Sequence, residues 1–420
     1  MKTPQTRTPR TSRNAERPRT GNAPTRGQAK ARDPRDGSAA DEPLRWPSGD
    51  RCIVAADRLF DGTRLLEHHA LAVSGDRIEA VAPAAHFVGR GPIVRFAGTL
   101  LPGFIDLHVH LLLGQVPPET ILRHGLTTVR DTGGPLFPPS GGDGRLRVLC
   151  AGPIFTAPGG YPMPVFGPDA AFEVRDVQTA RAEVSRHVAG GAALIKVAVE
   201  PGGSAGAPWS AAHAHAGAHA TPPPWPMLSL EVLRAIVDEA HAHSLIVSAH
   251  LSGPEGAALA LDAGIDEWAH VPSDPICDDL VARAAAAGVQ IVGTLDTLSR
   301  TTGVADNASR LVKAGIRLLY GTDLAHTDVP WGIDAQELQL MLHAAHGALT
   351  PLDVLSAATA RAGDYLGLAP LGRLVEGAPA DFIGVHGNPV EQFKPLEYPD
   401  LVVSGGMTIV VPADLTAPPA

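Results

Sequence analysis

Two histidines one residue apart, His108 and His110, close the apolar stretch Gly103–Leu113. In an extended strand, residues two apart project to the same side, so both imidazoles can grip one ion. Four later stretches end or are interrupted in the same manner. Lys196 sits inside Leu194-Ile195-Lys196-Val197-Ala198, and the runs Ser248-Ala249-His250, Trp268-Ala269-His270 and Gly321-Thr322-Asp323 each finish on a group able to hold a cation. The intervals from His110 to Lys196, His250 to His270 and His270 to Asp323 are 86, 20 and 53 residues. They correspond to three, one and two strand-helix units at about 29 residues for a full unit. Four imidazoles, an amine and a carboxylate then converge on one mouth, which predicts a metal site.

The lysine needs its own chemistry. An ammonium group is costly in an apolar strand and repels cations. A neutral amine can instead take up carbon dioxide as a carbamate, an anion able to bridge two ions. Two divalent cations, one carbamate, the Asp323 carboxylate and a hydroxide would leave a charge of about +1, which keeps the site electrophilic and lowers the pKa of water. The competing reading pairs Lys196 with a buried acid.

The elements that must position these groups are legible as alternating strands and helices. Strands are expected over Gly103–Leu113, Leu126–Thr132, Leu146–Gly152, Ala193–Glu200, Leu245–Leu251, Ile265–Val271, Val289–Leu295 and Ile316–Leu324. Between several of them run helical patterns, as where Leu230, Leu233, Ile236, Val237 and Ala240 share one face. Thr350, Pro351 and Asp353 open a last helix with an N-cap, a first-turn proline and a first-turn acid. Eight such units predict an α/β (β/α)8 TIM barrel over residues 103–370, with its chemistry at the C-terminal strand ends. An open doubly wound sheet is the rival, but no glycine-rich phosphate turn follows the first strand. Short β-branched runs broken by Asp-Gly and Gly-Asp turns occur near both chain ends, so residues 51–102 and 371–412 are expected to build one small composite β-sandwich. Pro201–Pro226 lacks periodicity and predicts a long loop over the catalytic face; its His213, His215 and His219 are read as incidental. His241 and His243 lie late in a helix, where imidazolium suits the dipole.

Composition agrees with a globular protein that has a large buried core: 420 residues, 44% hydrophobic and 19% charged. Residues 1–50 carry a net charge of +5 with few large apolar side chains, which predicts a disordered basic tail. The rest carries −15, which argues against nucleic acid as the main partner. No apolar run is long enough to span a membrane and no secretory core is evident. Cys52, Cys150 and Cys277 lie far apart, consistent with a reduced, cytoplasmic protein. A small-molecule substrate is expected, and a homo-oligomer is compatible with the sequence.

With these residues in view, the chain resembles the amidohydrolase superfamily from about Cys52 to Val411. The likeness rests on Pro102-Gly103-Phe104-Ile105-Asp106-Leu107-His108-Val109-His110, Gly125-Leu126-Thr127-Thr128-Val129-Arg130-Asp131, Lys196, His250, His270, Gly321-Thr322-Asp323, Ala357–Ala362 and Gly372–Phe382. Within the superfamily it is most similar to the imidazolonepropionase-like branch, which includes dipeptidases cleaving before proline. The resemblance implies that His108, His110 and Asp323 hold one ion, that His250 and His270 hold another, and that carboxylated Lys196 bridges them. Two divalent ions, zinc by expectation, would be the cofactors. Asp323 would take a proton from the attacking, metal-bridging hydroxide and pass it to the departing amine. True imidazolonepropionases use one metal and no bridging lysine, so Lys196 argues against that activity.

Three further residues are candidate substrate contacts. Arg130 could clamp a carboxylate or pair with Asp131. Tyr161 could donate to an oxyanion or stiffen its loop. His326 stands where the family usually has glycine after the eighth-strand aspartate. The reaction expected is cleavage of an amide-type C–N bond in a dipeptide, N-acyl amino acid or cyclic amide. A mononuclear deaminase or cyclic-amide hydrolase and a lactonase are the alternatives; an inactive scaffold is disfavoured because all six ligand positions are filled. Replacing Asp323→Asn is expected to leave much of the metal bound and to lower turnover by several orders of magnitude. Near-normal turnover in a steady-state assay would remove Asp323 from the proton path.

Overall fold

The computed structural model describes residues 44–45, 51–200, 226–325 and 329–412. Most of the expected tail, the 201–226 loop apart from Pro226, and His326 lie outside these residues. The dipeptide Leu44–Arg45, assigned from sequence to the tail, is instead a short strand paired antiparallel with Met407–Val410.

Strands from both chain ends join in one nine-stranded sheet. Its order is Leu44–Arg45, Met407–Val410, Leu401–Ser404, Phe382–Val385, Ile93–Pro102, Arg51–Phe60, His69–Ser74 and Arg77–Pro83, with Leu65–Glu67 paired to Arg51–Phe60. Glycine sets two of its hairpins. Gly405 and Gly406 take φ of +54° and +71° between the paired residues Ser404 and Met407, which suits a two-residue loop with both central residues left-handed. Gly75, at φ +59°, begins the loop between Ser74 and Arg77. Alternation then sorts side chains to opposite faces: Ile53 and Ala55 pack with Phe87, while Val54 and Ala56 pack in the cluster of Phe96, Phe382 and Leu401.

The central segment forms two parallel sheets. One holds Phe104–Val109, Leu126–Asp131 and Arg147–Cys150; the other runs Ala171–Glu173, Ile154–Thr156, Ile195–Ala198, Val247–His250, Glu267–Trp268, Gln290–Val292 and Leu318–Leu319. Backbone hydrogen bonds cross between them: Ala193 N–H reaches the Cys150 carbonyl at 2.8 Å, Leu107 N–H reaches Tyr320 at 3.2 Å, and Asp323 N–H reaches His108 at 2.8 Å. Such strands are buried on both faces, hence their nearly unbroken apolar texture. Each expected strand range contains an observed strand, shorter at its ends. The third ends at Cys150, before left-handed Gly152 (φ +79°) and Pro153, which has no N–H; Ile154–Thr156 beyond them lies outside the expected range and pairs in the other sheet. Ala171–Glu173 was not anticipated; three residues carry too little pattern to register.

Helices begin where side chains can satisfy their first N–H groups. Asp176 caps Val177–Ala189, Ser229 caps Leu230–Ala242, and Thr350 caps Pro351–Ala357 as the sequence predicted, with Asp353 closing a capping box; a further helix, Ala360–Tyr365, follows. No helix among the described residues is long and apolar enough to cross a membrane.

His187 shows how tightly the strands and helices pack. It is fully buried on Val177–Ala189, its Nδ1 is 2.9 Å from the Glu183 carbonyl oxygen, and its ring meets Phe155 edge-on. Burial pushes its pKa below the usual histidine value. The unfolded chain therefore binds a proton at about pH 6.5 that the native state resists, and this contribution to stability is complete above that pH and lost below it. Urea unfolding should show a wild-type slope steeper by as much as about 1.4 kcal/mol per pH unit than that of His187→Leu below pH 6.5. Parallel profiles would contradict this account.

Candidate metal centre

Five of the six predicted ligands lie at or beyond the C-terminal ends of parallel strands, and Lys196 lies inside one. His108 belongs to Phe104–Val109 and His110 follows it; Lys196 lies in Ile195–Ala198 and His250 ends Val247–His250; His270 and Asp323 follow Glu267–Trp268 and Leu318–Leu319. Five are buried and His110 is half-buried. His108 Nε2 lies 3.2 Å from His110 Nε2 and 3.5 Å from Asp323 Oδ1, and His110 Nε2 lies 3.3 Å from Asp323 Oδ1. His250 Nδ1 and His270 Nε2 are 3.0 Å apart, and Lys196 Nζ is 3.4 Å from His108 Nε2.

These separations test whether the donors suit a cation. Ligands at about 2.0–2.1 Å around a tetrahedral ion are about 3.3–3.4 Å from one another. The His108–His110–Asp323 triangle matches one face of that figure, and nitrogen lone pairs and a carboxylate oxygen are the donor types zinc takes. His108, His270 and Asp323 also bring ligand atoms within 4.8 Å of one another, so the two predicted groups share one cavity.

The backbone and buried polar groups aim these donors. His108 Nδ1 lies 2.9 Å from the Ala269 carbonyl oxygen, which makes Nδ1 the donor and turns the Nε2 lone pair toward its neighbours. His270 Nδ1 contacts Thr294 Oγ1 at 2.9 Å. Asp323 holds φ +57°, an uncommon conformation for a residue with a side chain, with its N–H on the His108 carbonyl. Burial pulls the Lys196 amine down to about 8 against the opposing pull of Asp323 and Glu267, so about a tenth of it is neutral at pH 7, far more than for a surface lysine. Burial likewise drives His108 well below the usual histidine value, with Lys196 adding to the effect.

Sequence reasoning overlooked Asp106. Its Oδ1 accepts the N–H groups of His108 (2.9 Å) and Thr322 (3.2 Å), and its Oδ2 accepts the Thr322 hydroxyl (2.7 Å). It thus clamps the first strand to the segment carrying Asp323. Its position two residues before His108, in the phase of the H-x-H pair, was the available signal.

Arg130 requires a correction. Its Nη2 donates to both oxygens of Glu267 at 2.7 and 2.8 Å, its Nε donates to the Leu107 carbonyl, and the Tyr365 ring lies 5.7 Å from the guanidinium carbon. The Tyr365 hydroxyl also donates to Glu267. The partner is therefore Glu267, neither Asp131 nor a substrate, because a fully buried guanidinium needs a buried counter-charge. Tyr161, in contrast, stands beside the ligands with its ring 4.9 Å from that of His250. Burial and the charge of Asp323 both keep its phenol protonated. His241 and His243 face Asp266 and Glu239 away from these groups.

Comparison with known proteins places this arrangement in context. The amidohydrolase family profile matches residues 99–409. Ochratoxinase of Aspergillus niger is 32% identical over 200 residues, 43% of this chain and 40% of that protein. Imidazolonepropionase of Deinococcus deserti is 31% identical over 162 residues, 38% of this chain and 39% of that protein. The chain thus spans about 40% of the length of these curated relatives in sequence. In structure, A. niger ochratoxinase superposes with a TM-score of 0.68 at 23% identity, covering 87% of this chain and 96% of that one. A Xaa-Pro dipeptidase with bound methionine gives 0.66 at 20% identity, covering 85% and 99%.

The clamp at Asp106 is open to measurement. Asp106→Ala strands two buried N–H groups and should lower the unfolding free energy by about 2–4 kcal/mol, whereas Asp106→Asn keeps an acceptor and should lose less than half of that. Equal urea midpoints for Ala and wild type would disprove the clamp.

Proposed function

Because this chain belongs to the amidohydrolase family, we propose that it is a binuclear metal-dependent hydrolase cleaving an amide-type C–N bond of a small molecule. The observation that carries this reading is the set of ligand-to-ligand separations of 3.2, 3.3 and 3.5 Å among His108, His110 and Asp323. His250 and His270 form the second group, and Lys196 lies close enough to His108 to bridge the two as a carbamate. The neutral amine would add to the carbon of carbon dioxide and release a proton. Two bound cations, zinc by this reading, would polarise the substrate carbonyl and bring the pKa of water toward neutrality.

The protein's own groups then divide the remaining work. Asp323 accepts the proton of the attacking water and returns it to the leaving amine. Tyr161, protonated and beside His250, donates to the developing oxyanion. The Arg130–Glu267 pair supplies no substrate contact and keeps the layer next to Lys196 electrically balanced. The hydrogen bonds from Ala193 to Cys150 and from Asp323 to His108 support reading the two parallel sheets as one closed eight-unit barrel. The nine-stranded sheet, apolar on both faces, is read as the sandwich domain built from residues 51–102 and 371–412. Free Cys52, Cys150 and Cys277 suit a cytoplasmic setting.

Kinship with ochratoxinase and a Xaa-Pro dipeptidase points to N-acyl amino acids, dipeptides and cyclic amides as substrates, with lactones as the outlying class. A mononuclear deaminase-type site is the second reading, favoured by the compact grouping of His108, His270 and Asp323. Elemental analysis after zinc loading in bicarbonate separates the two. About two ions per chain are expected, falling to one or fewer in Lys196→Met with loss of hydrolysis across an amide panel. One ion per chain in both proteins would favour the mononuclear reading, and none would refute both.

A further inference from the structure

His270 follows a strand of only two residues, yet its Nε2 lies 3.0 Å from His250 Nδ1. Its orientation is set by the next turn of the chain. The Gln290–Val292 strand leads into Gly293-Thr294, and Thr294 is fully buried with its Oγ1 2.9 Å from His270 Nδ1. Thr294 adopts φ +47°, a conformation that a β-branched residue reaches only when its surroundings impose it.

Those surroundings are identifiable. Thr294 N–H donates to the Gly321 carbonyl at 3.0 Å, and its own carbonyl accepts from Leu298 N–H at 3.2 Å. Two residues on, Asp296 N–H donates to the Glu337 carboxylate at 2.8 Å, and the Thr297 hydroxyl donates to the Thr322 carbonyl at 2.7 Å. Glu337 is fully buried on Ala335–Ala344 and reaches this turn only because residue 293 has no side chain; a Cβ there would lie 2.1 Å from Glu337 Oε1. A strained turn held by four hydrogen bonds, one of them to the buried Glu337 side chain, thus delivers one hydroxyl to one imidazole nitrogen.

We propose that Thr294 is a positioning residue for His270: its hydroxyl accepts Nδ1–H, which fixes the ring tautomer and leaves the Nε2 lone pair directed at the cavity shared with His250. The inference rests on the metal-binding reading above and deepens it. Partners of this kind influence metal affinity by about 10–100-fold when removed, because they set both the orientation and the basicity of the ligand.

The test uses the full chain with zinc alone as probe. Competition with a chromophoric chelator should show one of two zinc ions weakened by about 10–100-fold in Thr294→Val, which keeps shape and β-branching but removes the acceptor. Thr294→Ser, which restores the hydroxyl, should recover the affinity. Independently, nitrogen NMR of 15N-histidine-labelled wild-type protein without metal should show His270, identified by its loss in His270→Asn, carrying its proton on Nδ1. Wild-type zinc affinity in Thr294→Val overturns the proposal, and so does a proton on Nε2 in the wild type, a measurement independent of whether the valine variant folds. Wild-type protein that binds no zinc at all refutes the metal reading instead, leaving the tautomer result to judge Thr294.

Discussion

The hydrogen bond from Asp323 N–H to the His108 carbonyl joins the first and last parallel segments, and the ligand geometry depends on that join. Asp106 reinforces it through Thr322, 216 residues away in the chain. A backbone contact of this kind leaves little rotational freedom, so side chains remote in sequence come within about 3.5 Å of one another. Asp323 itself holds a left-handed φ, an uncommon backbone for a residue with a side chain, while its carboxylate faces both imidazoles.

Around this join, polar groups are buried in a graded order. Next to Lys196 lies a closed pair, Arg130 with Glu267, completed by the Tyr365 hydroxyl. Its charges cancel locally, which is the condition for keeping a guanidinium wholly out of water. Lys196 is different: its amine lies against the His108 imidazole, and burial outweighs the pull of Asp323 and Glu267 in depressing its pKa, which gives the amine a chemical option that a surface lysine lacks. The imidazoles come next, two of them turned by a partner on the far nitrogen: the Ala269 carbonyl for His108 and Thr294 for His270. Tyr161 stands against His250.

Much of this was legible in one dimension. Alternation and apolar runs located every central strand that carries a ligand, because parallel strands buried on both faces leave a continuous hydrophobic trace. The N-cap at Thr350 was equally plain, since its chemistry is local. Boundaries were less so. Most observed strands stop short of their expected ends, and Leu44–Arg45 pairs with a strand more than 350 residues away, a contact no local pattern records.

The six candidate ligands were named from residue type and spacing alone, because a charged or imidazole group inside a strand-end apolar run has few reasons to be there. What tertiary structure alone decided was partnership. Arg130 reads equally well as a clamp for substrate or a mate for Asp131 until Glu267 is seen against it. Thr294 and Glu337 have no motif, and their part follows from a turn whose strain is imposed by contacts from another strand and helix. Residue identity states what a side chain can do; which of its capacities is used depends on neighbours that the chain order leaves unspecified.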